Sequence, residues 1–352
     1  MTQLLEGAQS AMKTVYSDVT QEYRALRSAC GLLVHEGAAL LEVTGGGAVG
    51  YLGAVTTRPV DFLLEGQSAA ALVLRPDGTL VAEVVVHART EGYLVQVWPA
   101  QADGAREHLL AAAGEHPDAT VVDRSDELTV LALEGPTSFG IAGRYLELPI
   151  SSLGYRAHAT ATWNGVSLLV SRTGLTGEYG YTFIVPAEHA DALAAEFTDA
   201  GAVTCGLDAL DICRMETRFV NIEREGTPDA TPFDLGLQWM VDFSGEFTGR
   251  ERVLERWTPA ESRVLVCWTT DDDTDAADAT PPQGGLAVSV GGEVVGEVAH
   301  AVHSPQLGRV IGTARVDAAV AASGLELVVG DRAVRTVSAP FLVATSFGVT
   351  ID

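Results

Sequence analysis

The stretch "SRTGLTGEYGYTFIVP", Ser171 to Pro186, sets a glycine-punctuated turn between two apolar runs, with one carboxylate, Glu178, inside the turn. The apolar alternation on either side reads as strand. Gly174, Gly177 and Gly180 read as a reversal tight enough for backbone to pass close to backbone. Upstream, "WNGVSLLVS" completes a hairpin. Downstream, "AEHADALAAEFTDA" switches to the 3.6-residue spacing of a helix.

The same logic recurs toward the N-terminus. "GLLVHEGAALLEVTGGGAVGYLGAVTT" reads as strand, turn, strand, turn, helix, and "SAAALVLRPDGTLVAEVVVHARTEGYLVQVWP" as three strands joined at "PDG" and "TEG". Helices are expected from Thr20 to Ser28 and from Gly104 to Ala113, and "ELTVLALEGPTSFGIAG" repeats strand, turn and helix. Because the strands arrive as hairpins and do not alternate one for one with helices, the fold class is α+β. A strand-rich tail begins near Thr258 with "TPAESRVLVCWTT", which divides the chain into 1–257 and a β domain over 258–352.

Composition narrows the chemistry. A chain of 352 residues with 47% hydrophobic content can bury a large core in two or three domains. Its 22 basic and 47 acidic residues give a net charge of −25, which repels polyphosphate and anionic lipid; nucleic acid and membrane are excluded as main partners. Lys13 is the only lysine and falls in a polar segment read as an N-terminal helix, so Schiff-base chemistry has almost no nucleophile. Cys30, Cys205, Cys213 and Cys267 lack CxxC spacing and sit mostly in apolar runs, the pattern of buried reduced thiols in a cytoplasmic protein. No run approaches a membrane span, and "MTQLLEGAQSAMKTVYSD" lacks the regions of a signal peptide.

Three motif-like features read as structural. Gly45, Gly47 and Gly50 match GxGxxG, with Glu65 at the distance of a ribose contact, but the following hairpins offer no parallel crossover. "DDDTDAADATPP" (271–282) has acids at the first, third and fifth places of a calcium loop, yet Ala276 replaces its glycine and Pro282 its closing glutamate. His300 and His303 have no third ligand nearby in sequence, so no metal is expected.

In order and spacing, "LEVTGGGAVGYLGAVTT", "PDGTLVAEVVVH", "LALEGP", "SRTGLTGEYGY", "CGLDALDICRMETRF" with "TPFDLGLQWMVDFSGEFTGRE", and "VGEVAHAVHSPQLGRVIGTARV" resemble the aminomethyltransferase family. That family comprises the glycine cleavage T-protein and its folate-dependent demethylase relatives. The resemblance covers nearly the whole chain and implies a three-domain ring: two interleaved α+β domains and a C-terminal β-barrel around a central tetrahydrofolate cavity. It also implies site residues. Where the family has RTGYTGE, then glycine, an aromatic and a second glutamate that reads the pterin, this chain has Thr182, so Glu178 is left either as a backbone-capping acid or as a ligand contact. The arginine of GLxARD becomes Leu210, the aromatic of GKAxY becomes Ala70, and the VNA-type asparagine becomes Trp98. Trp98 and Tyr181 offer rings that would stack on a flat ligand.

The family's acid beside the one-carbon group corresponds to Glu83 in "LVAEVV", with Ala82 in place of its acidic neighbour; a strand glutamate facing solvent fits the same alternation. Arg214 and Glu216 match the family's RLE helix and read as pairing structurally across a helix–domain contact, not as touching substrate. "EFTGRE" lacks the cysteine of an iron–sulfur-maintenance branch and excludes it. The expectation is a divergent tetrahydrofolate-dependent transferase moving a methyl or methylene group on a small molecule, with a substrate other than that of glycine cleavage. The alternatives are a small-molecule enzyme on the same fold that has lost folate, and a non-catalytic binding protein.

Overall fold

The computed structural model describes residues 12–257, 263–270 and 280–351. The calcium-like acids Asp271 to Asp278, most of the N-terminal segment tested for a signal peptide, and the expected boundary at Thr258 lie outside the described residues.

The chain threads two sheets alternately. Strand Gly31–Val34 opens a six-stranded sheet; the chain then builds a five-stranded sheet from Ala39–Thr44, Ser68–Leu74, Leu80–Arg89, Gly92–Val97 and Thr120–Asp123. It returns to the first sheet with Leu128–Glu134, His158–Trp163, Val166–Ser171, Gly180–Pro186 and Val203–Thr204. This is the interleaving of two α+β domains. Only the contact of Gly31–Val34 with Val203–Thr204 is parallel; the other named pairs are antiparallel.

Strand alternation separates two faces on each sheet. On the first, Tyr181, Phe183 and Val185 pack outward against Leu193 and Phe197 of helix Ala190–Asp199. On the second, Ala82, Val84 and Val86 pack outward with Leu52 of helix Ala48–Val55 and Leu109 of helix Ala102–Ala113. The inner faces meet through Leu40, Leu94, Val130 and Ile184. Toward helices Val19–Ser28 and Leu207–Thr217 the inner faces carry Leu33, Val85 and Ala132 instead, packed with Trp98 and with Leu210 of the second helix.

The third unit is a closed barrel in the order Arg263–Thr270, Arg309–Asp317, Glu293–Ser304, Ala287–Val290, Glu326–Val329, Arg332–Val337. Trp268, Val298, Val316 and Val334 fill it. Among the described residues, no helix is long and apolar enough to cross a membrane.

The structure corrects two local expectations. Lys13 is not helical; it precedes helix Val19–Ser28, and its carbonyl accepts from Leu207 N–H at 3.0 Å. Arg214 and Glu216 do not pair. Glu216 accepts from Tyr23 (2.8 Å), Ser304 (2.5 Å) and Arg27 (2.9 Å), while Arg214 donates to the carbonyls of Phe219 and Val220. Helical spacing puts positions two apart on different faces, so the sequence already separated them.

Candidate active site

Two compartments and an outer groove lie where the inner sheet faces diverge. The first compartment, about 220 Å³, has Glu83, Ala70, Arg156, Arg218 and Trp239 in its wall. Tyr155, Thr173, Gly174 and Phe219 line both it and a groove of about 810 Å³ that reaches the C-terminal segment at Val343 and Phe347. The second, about 270 Å³, holds His35, Gln101, Leu210 and Arg214. Trp98 and Leu175 belong to both compartments and form the partition.

Glu83 points into the first compartment and is half-buried. Its backbone is held on both sides: it faces Leu72 on one neighbouring strand, and its N–H donates to Gln101 Oε1 at 2.8 Å where the other neighbour, Gly92–Val97, has ended. Burial pushes its carboxyl above the usual range, opposed by Arg214 and then Arg156. Such a group exchanges a proton nearer neutrality than an exposed glutamate does.

Arg156 and Arg218 stand in the left-handed region, at φ 61° and 64°. A non-glycine residue there is strained by about 1–2 kcal/mol. Two such residues at one cavity mark a place where backbone comfort has yielded to side-chain position. Arg218 pairs with Glu225 at 3.0 Å, and the Arg156 guanidinium lies 5.3 Å from the Tyr155 ring centroid.

The glycine turn 172–180 is held from two sides. The Glu134 carboxylate accepts from Leu175 N–H, Thr176 N–H and Thr176 Oγ1. At Gly180 a Cβ would stand 2.6 Å from Gly174 Cα, so only glycine lets the two arms of the turn touch.

Glu178 faces a buried network. It accepts from Arg27 (2.9 Å), Thr345 N–H (3.0 Å), Ser346 N–H (2.7 Å) and Ser346 Oγ (2.5 Å), which is the backbone-capping alternative, turned on the C-terminal segment. Thr182 does face inward, but its hydroxyl lies 3.0 Å from Thr173 Oγ1, and it lines neither compartment. Tyr181 is corrected too: adjacent to inward Thr182, it points outward into the helix-backed core, where burial pushes its phenol up to about 12. It cannot stack on a ligand in the cavity. Trp98 does border both compartments, and its ring lies 5.3 Å from that of His35.

The other motif residues are structural. The strand before Gly45 pairs antiparallel on both sides, so no crossover unit surrounds the GxGxxG match, and Glu65 accepts from Thr90 Oγ1. His300 Nε2 lies 2.6 Å from Asp211 Oδ2, and no cluster of three metal-ligating side chains occurs among the described residues. All four cysteines are buried and free.

Sequence reasoning missed His35, Arg27 and Arg156. His35 in "LLVHEGA" was visible as a polar residue in an apolar strand register. Arg27 and Arg156 gave no local signal: Arg27 finds its partners on distant segments, and Arg156 reaches the Glu83 compartment from a loop far away in sequence.

A model described as the GCVT N-terminal domain matches residues 4–245, and one described as the glycine cleavage T-protein C-terminal barrel domain matches 263–343. The chain is 36% identical over 321 residues to an aminomethyltransferase of Streptomyces avermitilis, covering 88% of this chain and 84% of the relative. It is 31% identical over 346 residues to one of Rubrobacter xylanophilus, covering 96% and 90%. The crystal structure of glycine cleavage system aminomethyltransferase T from Bartonella henselae matches with a TM-score of 0.84 over 96% of this chain and 94% of that one; at 23% identity, this establishes the fold.

Proposed function

The chain belongs to the glycine cleavage T-protein (aminomethyltransferase) family, and from that premise we propose that it is a divergent one-carbon transferase, moving a methyl or methylene group between a small molecule and tetrahydrofolate beside Glu83. The observation that carries this reading is the Glu83 carboxyl: inward, half-buried, raised by desolvation, and reached from the surface through the groove.

The residues present fit a folate in part. Phe219 and Trp239 supply apolar faces for a flat ring, Glu83 a carboxyl for ring N–H donors, and Arg156, Arg172 and Arg218 cations for an anionic tail. Tetrahydrofolate, when bound, supplies the nitrogen that accepts or releases the one-carbon group. Glu83 orients an amine, steadies developing positive charge and holds the proton that the leaving group needs. Arg214 and Arg156 oppose the burial of its charged form and so keep the anion within reach. Tyr155 and Phe219 narrow the mouth and limit water.

A folate-free enzyme on this fold is the second reading. Thr182 and Leu210 favour it, since each removes a charged contact worth on the order of 2 kcal/mol from the family's way of holding the pterin.

Thermal unfolding with tetrahydrofolate separates the two. Ligand at about a hundred times its dissociation constant adds roughly 2.7 kcal/mol to stability, visible as a shift of several degrees. The expected result is a small shift for the native protein, at high ligand only, and a larger one for Thr182→Glu with Leu210→Arg. No shift in either protein hands the site to the second reading.

A further inference from the structure

The compartment beyond Trp98 has a donor set that nothing in the protein satisfies. His35 is 2% exposed, and neither ring nitrogen has a hydrogen-bond partner; Trp98 is 7% exposed, and its Nε1 has none either. Their rings lie 5.3 Å apart in the same wall. Arg214, 8% exposed, enters the same space with Nε and Nη2 committed to the carbonyls of Phe219 and Val220, and no ion pair holds it among the described residues. Burial, with Arg214 acting in the same direction, lowers the His35 pKa to about 4, so the ring is neutral, with one N–H donor and one acceptor nitrogen. Three other charged groups line the space: Asp211, tied to His300 and Asn221, then Glu223 and Arg224.

We propose that this compartment binds a small monocarboxylate with an apolar body, its carboxylate taken by Arg214, the His35 ring N–H and the Trp98 indole N–H. Water could satisfy the two rings but would leave the buried guanidinium without a direct ion pair; a carboxylate answers both demands with charge-assisted bonds. Leu175, Leu207, Leu210 and Met12 also line the space, with Thr14, Gln101 and Asn221 beside them, and suit an apolar body. The volume of about 270 Å³ equals the share of about nine water molecules, which limits that body to roughly one six-membered ring. Asp211 and Glu223 disfavour a dianion such as phosphate. The site stands on its own geometry and does not require folate in the Glu83 compartment.

The test is calorimetric titration of the whole protein with benzoate and with its uncharged isostere benzamide. Benzoate is expected to bind with a dissociation constant of about 1 mM or tighter, and benzamide at least about tenfold more weakly. His35→Leu and Trp98→Phe, the latter keeping the ring but losing the N–H, should each weaken benzoate by about tenfold. Equal binding of the two probes overturns the proposal, as does no benzoate binding at about 10 mM, or native affinity in both folded variants. Should a variant fail to fold, the ratio of the two probes on the native protein decides.

Discussion

At the scale of single residues, Glu83 and Tyr181 show how much a strand's period of two can settle. Ala82 and Val84 belong to the helix-backed core, so Glu83 between them turns to the inner face. The solvent-facing alternative was equally compatible with the alternation, because a sequence does not say what covers a face. Glu83→Gln keeps the size and hydrogen-bonding shape but removes the proton that the carboxyl can hold. Turnover should fall by at least about a hundredfold with little change in thermal midpoint. Unchanged turnover in a folded variant would remove Glu83 from the chemistry. Tyr181 is the opposite case: with Thr182 inward it had to point outward, so its core position was legible from the same alternation.

At the scale of elements, strands Ser68–Leu74, Leu80–Arg89 and His158–Trp163 converge on a buried polar cluster. Ser68 stands opposite His87, and its hydroxyl lies 2.8 Å from His87 Nδ1 and 3.1 Å from His158 Nδ1. Burial, then His158, pushes the His87 pKa down to about 3 from an ordinary 6.5. Below about pH 6.5 the unfolded chain therefore binds a proton that the folded one refuses. Stability from this group is whole above that pH and falls by up to about 1.4 kcal/mol per unit as pH drops toward 3. Denaturant midpoints measured from pH 7 to 4 should decline less steeply in His87→Gln, by about one proton's slope; identical slopes would mean that His87 titrates normally. None of this cluster was legible in advance, since its members are brought together by pairing across two sheets. The strands, the glycine turn and the α+β class were legible, because hydrophobic period and turn residues are local signals.

At the scale of the whole molecule, one buried arginine joins the units. Arg27 reaches Glu178 and Glu216, each at 2.9 Å, and the carbonyls of Thr176 and Cys213. Glu216 continues to Ser304 of the barrel, and Glu178 to Ser346. Arg27→Met would leave two buried carboxylates without their cation, at a cost of about 3–5 kcal/mol. The thermal midpoint should drop by several degrees, while Ser346→Ala, which removes one hydroxyl, should cost only about 1 kcal/mol. Equal losses in the two variants would refute the central place given to Arg27. The ring was foreseeable from the ordered motifs, whereas its fastening was not: contacts across 151 and 189 positions leave no trace in local spacing.

The clasp between Glu178 and residues 345–346 also orders events during synthesis. Glu178 leaves the ribosome about 170 residues before the amides that complete its shell, and strand Gly31–Val34 must wait for Val203 before both its edges are paired. The lobes therefore cannot mature one after another as beads on a string. The nascent protein carries an open, half-satisfied centre until residues 345 and 346 have emerged, and the closing step has the slow pace that distant closure imposes.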